Sequence, residues 1–153
     1  MKKGNLIETK ADLLRRAEEW RGSGERELEI TIPETDPALT RALLATAGAL
    51  GRDLGARITV LSIRIQPFPA PLAHSPAVEH LFKNRLLTLA AETGVSLRGS
   101  LVFARDLPTG LGHGLARNSL VLIGTPRRWW PTREERLARL LASAGHSVAL
   151  VRV

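Results

Sequence analysis

The chain has 153 residues, no cysteine, and 22 basic against 15 acidic side chains, for a net charge of +7. That length suits one domain with a real core, while the lack of cysteine excludes a disulfide framework and thiol chemistry and fits a reducing, cytoplasmic setting. No apolar run approaches the ~18 residues of a membrane span, no apolar segment follows the N-terminal lysines as in a secretory signal, and the positive balance favours anionic partners.

Residues 1–27 read as a separate piece. Thr9 to Trp20 has the spacing of a short helix with Leu13, Leu14, Ala17 and Trp20 on one broad face, and Arg21-Gly-Ser-Gly24 breaks it. Its charges nearly cancel. Such a helix covers a sheet edge or a dimer seam, or tethers the domain to something upstream.

From Leu28 the chain repeats strand then helix, so residues 28–153 form the second unit. Leu28–Ile32 is a strand. Asp36-Pro37 supplies an N-cap and a proline at the first helical position. Leu39, Leu43, Ala47, Leu50 and Leu54 then recur at helical spacing, and Gly55 closes that helix. Arg57–Arg64 is the second strand, rich in β-branched residues. Gln66 to Pro76 holds four prolines and forms a loop. Ser75-Pro76 caps a helix whose face is Val78, Leu81, Phe82, Leu86, Leu89 and Ala90, ending at Gly94.

Ser96–Phe103 is the third strand. Its alternation of Leu97, Leu101 and Phe103 with Arg98 and Ser100 implies one solvated face and an edge position. Asp106 caps a short helix carrying Leu107, Leu111 and Leu115. Strand four is Ser119–Ile123. Thr132 and Glu135 form a capping box before a helix with Leu137, Leu140, Leu141 and Ala144 as its stripe, and Ser147–Val153 is the closing strand. Five strands separated by four helices imply parallel pairing through right-handed crossovers. The expected architecture is an α/β, doubly wound open sheet of five parallel strands with an extra N-terminal helix. One feature conflicts: Glu29 and Thr31 make the first strand alternate, whereas a central parallel strand is usually apolar on both faces.

The stretch Ser119-Leu-Val-Leu-Ile-Gly124-Thr-Pro-Arg-Arg-Trp-Trp-Pro-Thr132 carries most of the functional signal. A strand end that runs into a glycine and then a helix start is where open α/β sheets bind ligands. The order of elements over roughly Leu28 to Val153, with local matches at Leu120-Val-Leu-Ile-Gly124-Thr and Val148-Ala-Leu-Val151, resembles the universal stress protein family. The resemblance implies sheet order 3-2-1-4-5 and a homodimer through the last strand. It also implies ATP binding through an aspartate after strand one and a glycine-rich stretch, G-x-x-G then nine residues then G-S/T, after strand four. In that stretch glycines let backbone N–H groups approach phosphates at a helix N-terminus.

This chain departs from that pattern. The first glycine is Gly124, but the second position falls at Arg127, the closing pair near Glu135-Arg136, and the aspartate position aligns with Glu34. Arg127, Arg128, Trp129 and Trp130 are too bulky for a backbone cradle, and Glu134 and Glu135 repel phosphate. The expectation is therefore a degenerate nucleotide site in which Trp129 or Trp130 fills or covers the pocket. In the alternative, arginines take over from the backbone cradle and an adenine nucleotide still binds.

The candidate ligand set is Glu34, Ser62, Gly124, Thr125, Arg127, Arg128, Trp129, Trp130 and Thr132, with Glu34 expected to pair with Arg127 or Arg128. Ser62 enters as the residue ending strand two. Residues Pro126 to Arg139 hold five arginines and two glutamates, yet no recognised nucleic-acid module is present. His74, His80, His113 and His146 lack an i, i+4 pair, so no metal site is expected. Gly110-Leu-Gly112-His-Gly114 lacks dinucleotide-fingerprint spacing and reads instead as close helix–sheet packing. No nucleophile elbow is present, and no serine has an assignable base. The reading is a non-enzymatic binding or regulatory domain that takes a small anionic ligand and acts in stress response. Two alternatives are a cytosolic regulatory domain of a membrane transporter and a nucleotide-dependent enzyme on the same fold; the opening methionine fits a free-standing chain.

Overall fold

Each of the four helices from Pro37 onward begins on a side chain that satisfies its own first amides, and the four caps are those the sequence supplies. The computed structural model describes residues 6–7, 15, 18–19, 28–116, 119–126 and 130–153. Its elements are β1 (Leu6–Ile7), β2 (Glu29–Pro33), α1 (Pro37–Leu54), β3 (Arg57–Ile65), α2 (Pro76–Thr93), β4 (Arg98–Ala104), α3 (Leu107–Gly114), β5 (Ser119–Thr125), α4 (Arg133–Ser143) and β6 (Ser147–Arg152). Asp36, Ser75, Asp106 and Thr132 accept hydrogen bonds from amides of the first turns of α1, α2, α3 and α4. Gly55 and Gly94 end α1 and α2 with φ of 64° and 67°, the left-handed conformation that costs glycine nothing.

The sheet order is β1-β6-β5-β2-β3-β4, parallel throughout. Numbered from Leu28, the last five strands have the expected order 3-2-1-4-5. Alternation along the strands divides the core in two. Ile30, Ile32, Val60, Leu120 and Leu122 face α1, with Leu43, Leu44, Ala47 and Leu50. Leu61, Val121, Ile123, Val148 and Leu150 face α3 and α4, with Leu111, Leu115, Ala138 and Leu141. Two helices cover each face, which makes the sheet doubly wound.

β2 is central despite its polar residues, because they are paired or sealed. Thr31 is buried, and Glu29 accepts a hydrogen bond from Thr59 Oγ1 of β3 at 3.1 Å. β4 is the edge strand that its alternation implied. Four stripe assignments need correction. Leu81, Leu107, Leu140 and Ala144 are exposed, while Ala138 and Ala142 take the buried positions of α4 beside Leu141. α2, α3 and α4 each carry more apolar residues than they bury.

The N-terminal piece holds a strand where only a helix was expected. Leu6 and Ile7 pair with Val148 and Ala149, so β1 lies on the outer edge of β6. This is the edge through which the resemblance implies dimerisation. Of the expected Thr9–Trp20 helix, Arg15, Glu18 and Glu19 are helical; the remainder lies outside the described residues.

Candidate functional site

The crevice follows from where the ladders stop. The β2–β5 ladder runs from Glu29↔Ser119 to Thr31↔Val121 and then ends. Beyond it β2 stays with β3, through Ile32↔Val60 and Pro33↔Leu61, and the amide of Glu34 donates to Leu61 O at 2.7 Å. β5 stays with β6 as far as Thr125↔Arg152. The two central strands therefore separate at the point where chain order reverses across the sheet, which is where open α/β sheets form ligand crevices.

The crevice has a volume of about 470 Å³ and is lined by the first turns of α1 and α4, with Asp36 and Leu39 on one side and Thr132, Arg133 and Glu134 on the other. Pro126, Trp130 and Pro131 complete the rim. Two helix N-termini converge on this space, a disposition that favours negative charge. Arg133 adds to it and Glu134 subtracts.

The capping oxygens of this lining are already committed. Asp36 Oδ1 accepts from the amides of Ala38 (2.9 Å) and Leu39 (3.2 Å), and its carbonyl accepts from Thr40. Thr132 Oγ1 accepts from the Glu135 amide at 3.2 Å and lies 2.7 Å from Thr125 Oγ1. Thr125 is fully buried, so this hydroxyl pair ties the end of β5 to the start of α4 beneath the crevice. Gly124 backs onto α1. A Cβ there would lie 3.5 Å from Leu39 O and 3.7 Å from Leu39 Cβ, which is ordinary contact.

The candidate residues do not form one site. Gly124, Thr125, Trp130 and Thr132 gather at the crevice. Trp130 does not fill it: its side chain is 72% exposed and stands at the rim. Arg127, Arg128 and Trp129 lie outside the described residues. Glu34, expected to meet Arg127 or Arg128, is instead held by Arg85 of α2, with Arg85 Nη2 at 2.8 Å from Oε1 and 3.1 Å from Oε2. It lines a different cleft, between α1 and α2. Ser62 is buried in β3 opposite Leu101 and lines neither space.

Sequence reasoning assigned Asp36 to capping alone and did not single out Leu39, Pro126, Pro131 or Arg133 for the site. The signal was available, since the turn after a strand at the switch point lines the crevice whatever its composition. Arg85 gave no such signal, because it sits 51 residues from its partner. Among the described residues no group of three His, Asp or Glu side chains is placed to hold a metal ion, and no helix is long and apolar enough to cross a membrane.

The chain shares its fold with solved universal stress proteins. It is similar to a protein of that family from Burkholderia pseudomallei (TM-score 0.53, 20% identity, covering 80% of this chain and 94% of that one). It is similar also to a universal stress protein from Archaeoglobus fulgidus (TM-score 0.52, 10% identity, 85% and 96%). A third, from Lactobacillus plantarum, aligns with a TM-score of 0.50 at 13% identity over 85% and 99%. No protein-family model matches the sequence, and a comparison with curated proteins finds no match.

Proposed function

We propose that this chain is a non-enzymatic, cytoplasmic binding domain with the universal stress protein fold. Its ligand seat is the crevice between β2 and β5, and its ligand is a small anion with a flat apolar body rather than a triphosphate held by a glycine cradle. The observation that supports this reading is the division of labour in the crevice. The oxygens of Asp36, Thr125 and Thr132 serve helix caps and each other, while Trp130 and Arg133 stand exposed at the rim beside open space. An indole offers a stacking surface, and a guanidinium offers donors to an anion. Binding would act by shifting the population of an interface or of the neighbouring loop.

A nucleotide screen tests this. ATP, AMP and cyclic dinucleotides are compared by thermal shift and tryptophan fluorescence for the wild type and Trp130→Ala. A ligand at one hundred times its Kd stabilises the folded state by about 2.7 kcal/mol, an easily measured rise. The expected outcome is that the γ- and β-phosphates of ATP add nothing over AMP, that any shift is lost in Trp130→Ala, and that no phosphate is released on long incubation. ATP binding more than about tenfold tighter than AMP, or phosphate release above a buffer control, would overturn the proposal.

A further inference from the structure

The sheet face covered by α1 and α2 carries a second cleft, of about 340 Å³. This is at the lower end of the roughly 300–1,000 Å³ typical of small-molecule sites. It opens because the two helices are seated on different strands. α1 packs over β2 and β5 through Leu43, Leu44 and Ala47, whereas Phe82 and Leu86 of α2 rest directly on Gly99 of edge strand β4. The gap between the helices is walled by Pro37 and Thr40 on one side and by Leu81, Thr88 and Leu89 on the other.

The wall is hydrocarbon in effect. Thr40 Oγ1 donates to Asp36 O at 3.0 Å and Thr88 Oγ1 to Asn84 O at 3.1 Å, so both hydroxyls are satisfied within their own helices. Leu81 is 60% exposed here, on a helix that buries only part of its apolar surface. The Asn84 amide, the Glu34 carboxylate and two guanidinium groups complete the lining. Arg41 reaches Glu92 through Nε at 2.8 Å, and Arg85 meets Glu34 through Nη2 alone. A guanidinium has five N–H donors, so each arginine keeps donors that its carboxylate partner does not use.

From this arrangement we propose that the α1–α2 cleft binds a small organic carboxylate, with its aliphatic or aromatic body between the helices and its carboxylate on Arg41 and Arg85. The charge count selects a monoanion. Arg41, Arg85, Glu34 and Glu92 sum to zero, so a single negative charge is tolerated where a phosphate dianion meets greater repulsion from the two glutamates. The planar fork of arginine matches a carboxylate with two parallel hydrogen bonds.

The test uses decanoate and indole-3-acetate as carboxylate probes, with decanol and indole-3-ethanol as uncharged counterparts. Binding is followed by ¹H–¹⁵N NMR of the full chain. The expected result is amide perturbation centred on residues 37–41 and 81–89, and acids that bind at least about tenfold tighter than the alcohols. That preference should disappear in the Arg41→Met/Arg85→Met double variant. Thr88 and Leu81 are both exposed, so Thr88→Trp, which fills the cleft, and Leu81→Glu, which places a carboxylate in it, should each fold as the wild type does by circular dichroism and lose binding. Equal affinity for acids and alcohols, unchanged binding in both cleft variants, or perturbation confined to residues 124–135 would overturn the proposal. The last pattern would place the probes in the strand-end crevice and leave the proposed function standing.

Discussion

The three glycines of α3 make opposite predictions from the same substitution. None of Gly110, Gly112 and Gly114 has a positive φ, so alanine is conformationally allowed at each. A Cβ at Gly112 would meet nothing within 4 Å, whereas at Gly110 it would lie 2.5 Å from Ile63 Cγ2 and 3.2 Å from Ala104 Cβ. Gly112→Ala should therefore gain only the helix-propensity term, up to about 1 kcal/mol. Gly110→Ala gains the same term but overpacks against a methyl on a β-branched side chain that cannot rotate away, which costs about 1–3 kcal/mol. The propensity term cancels between the two variants, so their difference isolates the packing cost. At about 2–4 °C per kcal/mol for a chain of this size, Gly112→Ala should melt roughly 2–12 °C above Gly110→Ala. Thermal unfolding followed by circular dichroism measures this, and the gap should close in an Ile63→Ala background, where the clashing methyl is gone. Equal melting temperatures for the two variants in the wild-type background would show that α3 does not sit as close to β3 as described.

Other outcomes follow from single features. Thr132→Val removes the α4 cap, worth about 0.5–2 kcal/mol, and strips the buried Thr125 hydroxyl of its 2.7 Å partner; urea unfolding should show Thr132→Val and Thr125→Val to be less than additive in the double variant. Asp106 has its carboxyl held below the usual carboxylate range, first by the backbone amide of Thr109 and then by that residue's side chain. A lowered folded-state value means that its stabilising effect is present above the unfolded-state value and lost as pH falls through the folded one. The melting-temperature gap between wild type and Asp106→Ala should therefore be full at neutral pH and close under strong acid. Removing residues 1–8, or Ile7→Pro, uncovers the edge of β6 at Val148–Ala149. An open parallel edge invites pairing, so light scattering should show concentration-dependent self-association of the truncated chain beyond that of the full chain; identical masses would show that β1 does not guard the edge.

What the sequence made legible was what local chemistry dictates. Asp36-Pro37, Ser75-Pro76, Asp106 and Thr132 announced four helix starts because a cap needs only its own next residues. Helical spacing then gave α1, with Leu43, Ala47 and Leu50 all buried. The misses share a physical origin, since each depends on a neighbour remote in sequence. Leu81 and Leu140 continue a helical stripe but stand 60% and 51% exposed, because a helix buries only the part of its stripe that meets the sheet. The position of Glu34 after β2 points to the strand-end site, yet among the described residues its carboxylate is paired with Arg85. A two-residue strand such as Leu6–Ile7 carries no periodicity, and only the open edge of β6 gives it a place. Of the two tryptophans expected to fill or cover the pocket, Trp130 stands exposed at the rim and Trp129 lies outside the described residues; residue volume says nothing about which way a side chain at a loop end is turned.

The two clefts have a common wall. In the first turn of α1, Asp36 and Leu39 line the strand-end crevice while Pro37, Thr40 and Arg41 line the space toward α2. That turn is anchored by Asp36 on one side and, through Arg41 and Glu92, to the far end of α2 on the other. A ligand that moves the turn from either side alters the other space, and linkage requires the effect to be reciprocal. A carboxylate that changes the affinity of the crevice for its anion by some factor must have its own affinity changed by that same factor. Measuring both affinities with the other ligand at saturation decides the matter. Equal, non-unit factors would make α1 a coupling element, and factors of one would make the clefts independent sites on a rigid helix. Glu92→Ala cuts the anchor to α2 while leaving Arg41, Arg85 and the Asp36 cap in place, so it should bring the coupling toward unity without emptying either cleft.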